Sequence, residues 1–132
     1  MMRLALVTAA VVAITGTAFA QGAAPAVTPA KGDPARGRTV FARCAACHDL
    51  STGANRLGPS LKGIIGRTSG TAPGFVYSQA MKDKAVVWNT ATLDAYLAAP
   101  ALYVPGNRMA YPPMANGQDR ADLIAFLEQS AR

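Results

Sequence analysis

The feature that most constrains this chain is the run Cys44–His48, in which two cysteines flank two alanines and a histidine follows. This C-x-x-C-H spacing is typical of covalent attachment of a c-type haem. Two thiols on one helical turn can reach the vinyl groups of a porphyrin, and the imidazole can reach the iron. Because the chain has two cysteines and one histidine, this single site would use every residue of both types.

Three other interpretations of the motif are weaker. A thioredoxin-like redox pair prefers a βαβ context, and no such pattern is present. A structural disulfide would account for the two cysteines but not for the histidine that follows them. A zinc site normally needs four ligands, whereas the sequence offers three soft ligands in one contiguous stretch.

The N-terminal residues predict export. A positive charge at Arg3 precedes an almost wholly apolar run, and Ala18-Phe19-Ala20 has the small-x-small form of a signal-peptidase site. We therefore expect a signal peptide over 1–20, a flexible Ala/Pro/Gly-rich leader over 21–31 and one domain over 32–132. An uncleaved membrane anchor is the alternative, but the apolar run is short for a membrane span.

The remaining chain indicates a small all-α domain. Asp33 followed by Pro34 predicts a helix start that leads into the haem motif. Helices are also expected over 78–84, from Asn89 or Thr90 to Pro100, and from Gly117 onward. No segment has a convincing strand period, and 49–75 is punctuated by glycine and proline. So long a loop is unusual in a small domain, but it can wrap a haem.

A low-spin electron carrier needs a second axial ligand, and no second histidine exists. Methionine is the expected alternative, because its thioether raises the reduction potential. Met81 lies in a charged helical stretch, whereas Met109 and Met114 lie in a proline-rich loop that can aim a side chain freely. Spacing alone leaves Met109 and Met114 equally possible.

From about Gly32 onward the sequence resembles the class I cytochromes c, close to the mitochondrial type and its bacterial relatives. Besides the haem motif, the resemblance rests on Gly66-Arg67, Ala72–Phe75, Trp88, Leu93, Tyr96-Leu97, Pro100, Tyr103–Gly106 and Asp122–Leu127. It implies the small cytochrome c fold, with three to five helices and long loops around one covalent haem c. It also implies Met109 as the ligand, since that residue follows Pro105-Gly106 by two intervening positions.

The resemblance implies further roles around the haem. Pro59 would accept a hydrogen bond from the ligand histidine, which fixes its tautomer. Tyr77 and Trp88 would donate hydrogen bonds to a buried haem propionate, and Arg67 would partly neutralise the negative charge of that propionate. Tyr96 would place its hydroxyl beside the methionine sulfur. The family also packs its first and last helices crosswise, which implies a packing role for Gly37, Phe41, Leu123 and Phe126.

Two departures from the family pattern stand out. Met81 occupies a position that is often asparagine in a buried polar network, which would shift the reduction potential. Several lysines of the basic ring around the haem edge are replaced, although Arg43 and Arg108 keep some charge. The replacing residues are Ala101, Leu102, Ala115 and Asn116. We expect a docking face that is less basic and more apolar.

Together these features predict a periplasmic single-haem electron carrier with His48 and Met109 as axial ligands, which is not an enzyme. By resemblance, its partners would be a quinol-oxidising complex and a terminal oxidase or photosynthetic reaction centre. The formal net charge is +6, but the basic residues are scattered, so nucleic-acid binding is not expected. We also expect a monomer with no membrane insertion once processed. One alternative is a subunit that brings electrons into a periplasmic dehydrogenase complex. Another is a haem peroxidase or gas-binding protein.

Overall fold

The computed structural model describes residues 31–132, which form an all-α domain. The predicted signal peptide and nearly all of the predicted leader lie outside the described residues. Within 31–132 the only β pairing is an isolated bridge between Thr68 and Val87, and no helix there has the length and apolarity needed to cross a bilayer. The described residues form five helices, which are α1 (Pro34–Phe41), α2 (Gln79–Lys84), α3 (Thr90–Ala98), α4 (Pro100–Tyr103) and α5 (Gly117–Ser130).

Helix α1 begins as its sequence predicts. The Asp33 carboxylate accepts hydrogen bonds from the backbone N–H groups of Ala35 at 2.8 Å and Arg36 at 3.3 Å. Pro34 occupies the first turn, where its missing N–H would have had no partner. After Phe41 the chain continues through tight turns, so the helix delivers the backbone directly to the haem motif.

The other predicted helices are present, and one was missed. Ser78 caps α2. Asn89 caps α3 by accepting from the Thr92 N–H, and the Thr92 hydroxyl accepts from the Asn89 N–H in return. The sequence predicts that α3 ends at Pro100, but α3 ends at Ala98 and Pro100 starts the short helix α4. A proline that cannot continue one helix is well placed to start the next, because its φ is already helical.

The first and last helices pack together at a glycine. A Cβ atom added to Gly37 would overlap the Asp122 carbonyl oxygen and lie 2.7 Å from the Cβ of Phe126. The ring centroids of Phe41 and Phe126 lie 5.5 Å apart across the same contact. These positions agree with the packing role implied for them, since only glycine permits this backbone approach.

A buried carboxylate locks the same pair of helices. Asp122 of α5 is 2% exposed. It accepts from the Asp33 backbone N–H at 2.7 Å, from Arg36 Nε at 2.7 Å and from Gln118 Nε2 at 2.8 Å. The hydrogen bond from Arg36, with those from Asp33 and Gln118, holds the pKa of Asp122 well below its usual range against the opposing effect of burial.

The long segment between the haem motif and α2 contains no helix, as predicted. At Gly70 the φ angle is +76°, and an added Cβ would lie 2.8 Å from the Cα of Lys82. The left-handed backbone conformation favours glycine at this position, and the lack of room for a Cβ atom beside Lys82 also requires it. The Asn55 side chain crosses the loop and donates to the Pro73 carbonyl at 2.9 Å. The segment is therefore irregular but held at defined points.

Replacing Gly37 with alanine should destabilise the holoprotein by about 1–3 kcal/mol, because the new methyl group must push α1 away from α5. Denaturant unfolding gives the free energy directly. Gly117→Ala is the matched control, since it also changes a helical glycine, but its Cβ would lie 3.5 Å from the nearest atom, in Arg120. A Gly37→Ala protein as stable as the Gly117→Ala protein would contradict this account of the contact.

Replacing Asp122 with asparagine should lower stability in a pH-dependent way. The folded-state pKa of Asp122 is depressed, so its ionised form stabilises the fold above its ordinary pKa of about 4, and that stabilisation is lost as the pH falls. The difference in unfolding free energy between wild type and Asp122→Asn should be full at neutral pH and shrink below about pH 4. Asp83→Asn, at an exposed site on α2, serves as control, and a pH-independent difference for Asp122→Asn would refute the assignment.

Candidate functional site

The haem motif forms one continuous turn after α1. The backbone N–H groups of Cys47 and His48 donate to the Cys44 carbonyl at 3.0 and 2.9 Å. Both cysteines are half-buried and free. Burial raises the pKa of the Cys44 thiol, with Arg43 opposing the rise. Because the thiolate is the form that oxidises readily, the raised pKa makes the Cys44 thiol less prone to oxidation.

The His48 ring is fixed by the loop that follows the motif. Its Nδ1 lies 2.7 Å from the Pro59 carbonyl oxygen. A carbonyl can only accept, so Nδ1 carries the proton and Nε2 keeps a free lone pair. Burial lowers the pKa of His48, while the bond to Pro59 opposes this. An added Cβ at Gly58 would lie 2.7 Å from Nδ1, so glycine is needed for the ring to lie against this loop.

Asp49 stabilises the turn directly after His48, a role that the sequence analysis did not identify. Its buried carboxylate accepts from the backbone N–H groups of Ser51, Thr52 and Gly53, and from the Thr52 hydroxyl at 2.9 Å. Burial alone would raise the pKa of Asp49, but these hydrogen bonds outweigh it and the pKa is lowered. The Asp-x-x-Thr spacing was the available signal, since aspartate often closes such turns.

The structure distinguishes the two loop methionines that spacing left open. Met109 is half-buried, and its Sδ lies 3.7 Å from the hydroxyl of Tyr96. Met114 is 5% exposed and belongs to the hydrophobic core. Its backbone N–H donates to the Leu97 carbonyl at 2.9 Å. Of the two, Met109 is the residue with a sulfur beside a hydroxyl donor.

Tyr96 lies among other aromatic side chains. Its ring centroid is 5.2 Å from that of Trp88 and 6.1 Å from that of Tyr103. Burial, with a smaller effect from Tyr77, raises the pKa of Tyr96 to about 12. The hydroxyl therefore keeps its proton at neutral pH and can donate to the Met109 sulfur.

Arg67 lies near both Trp88 and Tyr77. The Trp88 backbone N–H donates to the Arg67 carbonyl at 2.9 Å, next to the Thr68 bridge. Burial raises the pKa of Tyr77, and the nearby Arg67 guanidinium partly offsets the rise. Trp88 is 6% exposed. Three residues from two separate segments are thus positioned as one group.

The segment that carries Met109 is held at both ends by side chains that the sequence analysis missed. Asn107 Nδ2 donates to the carbonyls of Pro100 and Val104, and its Oδ1 accepts from the Met109 N–H, all at 2.9 Å. At the other end, Arg120 of α5 donates to the Met114 carbonyl at 2.7 Å. Neither residue has a sequence signature, because these backbone partners, two to seven residues away, belong to a segment without regular structure.

Arg120 also ties this segment to α3. Its Nε donates to Asp94 Oδ1 at 2.7 Å, and its Nη1 donates to the Met114 carbonyl. One guanidinium therefore joins α3, α5 and the end of the methionine segment.

These residues fit a covalent haem. Two free thiols lie on one turn, a neutral imidazole keeps its Nε2 lone pair, and a thioether sulfur lies beside a hydroxyl donor. Cys44, Tyr77 and Met109 all border the same hydrophobic core. The zinc alternative has no support within residues 31–132, where no group of three metal-binding side chains comes together.

Comparison with known proteins agrees with this arrangement. The family described as Cytochrome c matches residues 34–131. A cytochrome c of Ulva intestinalis is 48% identical over 101 residues, which cover 75% of this chain and 91% of that protein. Cytochrome c2 of Rhodoblastus acidophilus is 46% identical over 99 residues, which cover 74% of this chain and 92% of that protein. The structure of cytochrome cH from Methylobacterium extorquens has a TM-score of 0.72 and 38% identity, and covers 75% of this chain and 100% of that one.

Replacing Asn107 with alanine should loosen the segment around Met109. Loss of the bond to the Met109 N–H should speed hydrogen exchange of that amide about three- to tenfold, as expected for one hydrogen bond. Exchange followed by NMR on the holoprotein measures this. Asn55→Ala is the control, because it removes a bond to Pro73 and should leave the Met109 amide unchanged. Equal exchange in wild type and Asn107→Ala would contradict the positioning role.

Proposed function

The chain belongs to the cytochrome c family and binds haem c covalently, and from this premise we propose that it is an exported one-electron carrier with His48 and Met109 as axial ligands. When bound, the haem supplies a couple between ferric and ferrous iron. The thiols of Cys44 and Cys47 would hold the porphyrin. With both axial positions filled by side chains, no substrate would reach the metal.

The observation that carries this proposal is the environment of Met109. Its sulfur lies 3.7 Å from the Tyr96 hydroxyl, and its amide is fixed by Asn107. A methionine that merely filled space would need neither contact. The hydroxyl donates to the sulfur and orients it, while Asn107 limits the movement of the backbone. A ligand held in this way suits a centre that must change little between oxidation states.

The remaining residues would hold the cofactor and tune it. Pro59 orients His48 and, by accepting the Nδ1 proton, makes Nε2 a stronger base. Tyr77 and Trp88 would donate hydrogen bonds to a propionate, and Arg67 would offset its charge. These roles follow from the resemblance. The bond from the Trp88 N–H to the Arg67 carbonyl and the effect of Arg67 on the pKa of Tyr77 support them.

We propose that the carrier works in the periplasm between a quinol-oxidising complex and a terminal oxidase or photosynthetic reaction centre. Leu57, next to the loop that holds His48, and Leu102 in α4 are each 83% exposed. Arg43 and Arg108 are also exposed. This combination favours a partner with an apolar contact centre and acidic side chains at its rim. The exposed leucines equally suit a dedicated partner, so a subunit of a periplasmic dehydrogenase complex is the second candidate.

The optical spectrum of the holoprotein tests the ligand assignment. The ferric wild type should show the weak far-red band of methionine–iron coordination, and Met109→Ala should abolish it and lower the midpoint potential, because a thioether ligand raises it. Met114→Leu is the control, since it conserves core volume and should keep the band. High-spin ferric iron in the wild type, or a band that survives in Met109→Ala, would overturn the proposal.

A further inference from the structure

Helix α2 contacts both α4 and the segment that carries Met109. The Ala80 side chain lies against the turn before Met109, where a Cβ added to Gly106 would be 3.2 Å from the Ala80 Cβ. One turn further along α2, the Nζ atom of Lys84 lies 4.3 Å from the ring centroid of Tyr103 in α4. Residues four positions apart share one face of a helix, so the same face of α2 makes both contacts.

The contact between Lys84 and Tyr103 is a cation–π interaction. Its distance of 4.3 Å is well inside the limit of about 6 Å for such pairs. The lysine side chain is exposed, and the ion pairs found within the described chain all use an arginine as the cation. In this part of the chain, the tyrosine ring is therefore the partner of the Lys84 ammonium group.

Tyr103 connects Lys84 to the side chain beside Met109. The ring centroids of Tyr103 and Tyr96 are 6.1 Å apart at an interplanar angle of 67°, which is an edge-to-face arrangement that aromatic pairs favour. The Tyr96 hydroxyl in turn lies 3.7 Å from the Met109 sulfur. Two aromatic rings therefore link the Lys84 ammonium group to the sulfur.

The backbone at the end of α2 is fixed in an unusual conformation. Ala85, directly after Lys84, has φ 45° and ψ 32°, and within residues 31–132 it is the only residue other than glycine with a positive φ. The Cβ atom makes this left-handed conformation unfavourable, so it persists only where surrounding contacts impose it. Val86 supplies two of them, since its N–H donates to the Ser69 hydroxyl at 3.1 Å and its carbonyl accepts from the Ser69 N–H at 2.7 Å. The end of α2 is therefore held in place, which gives the Lys84 side chain a fixed starting point.

We propose that Lys84 is a positioning residue for Met109, on which it acts through Tyr103 and Tyr96. The ammonium group attracts the Tyr103 ring and so holds α2 against α4. The edge-to-face contact then limits the movement of Tyr96, whose hydroxyl orients the sulfur. This role rests on the proposed function, in which Met109 is an axial ligand. Loss of the contact should increase the fraction of molecules in which Met109 has left its ligand position.

Competition with imidazole measures this fraction, because imidazole can bind the ferric iron of the holoprotein only where Met109 has moved away. Above its own pKa imidazole is neutral, so the loss of a lysine charge does not by itself attract or repel it. Lys84→Gln should bind imidazole about two- to fivefold more tightly than the wild type, the change expected for one exposed cation–π contact. Lys84→Arg should bind as the wild type does, since the guanidinium restores the cation.

Lys82→Gln is the matched control, because it removes another exposed lysine of α2, and it should leave the imidazole affinity unchanged. An unchanged affinity in Lys84→Gln would overturn the positioning role. Equal increases in Lys84→Gln and Lys82→Gln would also overturn it, because they would show a general effect of charge. A Lys84→Arg protein that behaves like Lys84→Gln would exclude the cation as the cause.

NMR of the ferrous holoprotein tests the contact itself. Protons that lie over an aromatic ring are shifted upfield, so the ε-protons of Lys84 should lie upfield of those of Lys82 and should move back towards them in Tyr103→Leu. Absence of this shift in the wild type would overturn the proposal. The shift does not depend on which residue is the axial ligand, so a failure of the methionine assignment in the optical spectrum is distinguishable from a failure of the Lys84 contact.

Discussion

Both halves of the candidate site depend on the contact between α1 and α5. Gly37 lets the two helices approach so closely that a Cβ atom at this position would overlap the Asp122 backbone carbonyl. Asp122 then locks the pair through Asp33 and Arg36. Helix α1 leads into the haem motif, and α5 carries Arg120, which holds the end of the methionine segment. One helix pair therefore sets the positions of His48 and Met109, although neither residue belongs to it.

Much of the fold follows from local sequence chemistry. Asp33 with Pro34, and Asn89 with Thr92, cap their helices through bonds that span only a few residues, so the sequence pattern is sufficient to locate them. Pro100 was misread because a proline both ends one helix and begins another. The proline correctly predicts that α3 ends before it, but it does not indicate that a new helix begins at the same residue.

The site was predictable only in part. The haem motif is contiguous, so its residues and their chemistry can be read directly. The choice between Met109 and Met114 required the resemblance, because both satisfy the same spacing rules, and the structure supports it through the Tyr96 hydroxyl. Asn107 and Arg120 could not be found, since their bonds to backbone groups depend on the conformation of an irregular segment, and Arg120 meets Asp94 only in the folded chain.

The Asp122 cluster also fixes the order in which the molecule can assemble. Its hydrogen bonds to Asp33 and Arg36 join residues that are 89 and 86 positions apart, so they cannot form until nearly the whole described chain has been synthesised. Until then α1 has no partner for its buried face, and the following turn with Cys44 and Cys47 stays accessible. The same long-range closure that protects the finished centre thus leaves an interval during biogenesis in which the thiols can be reached.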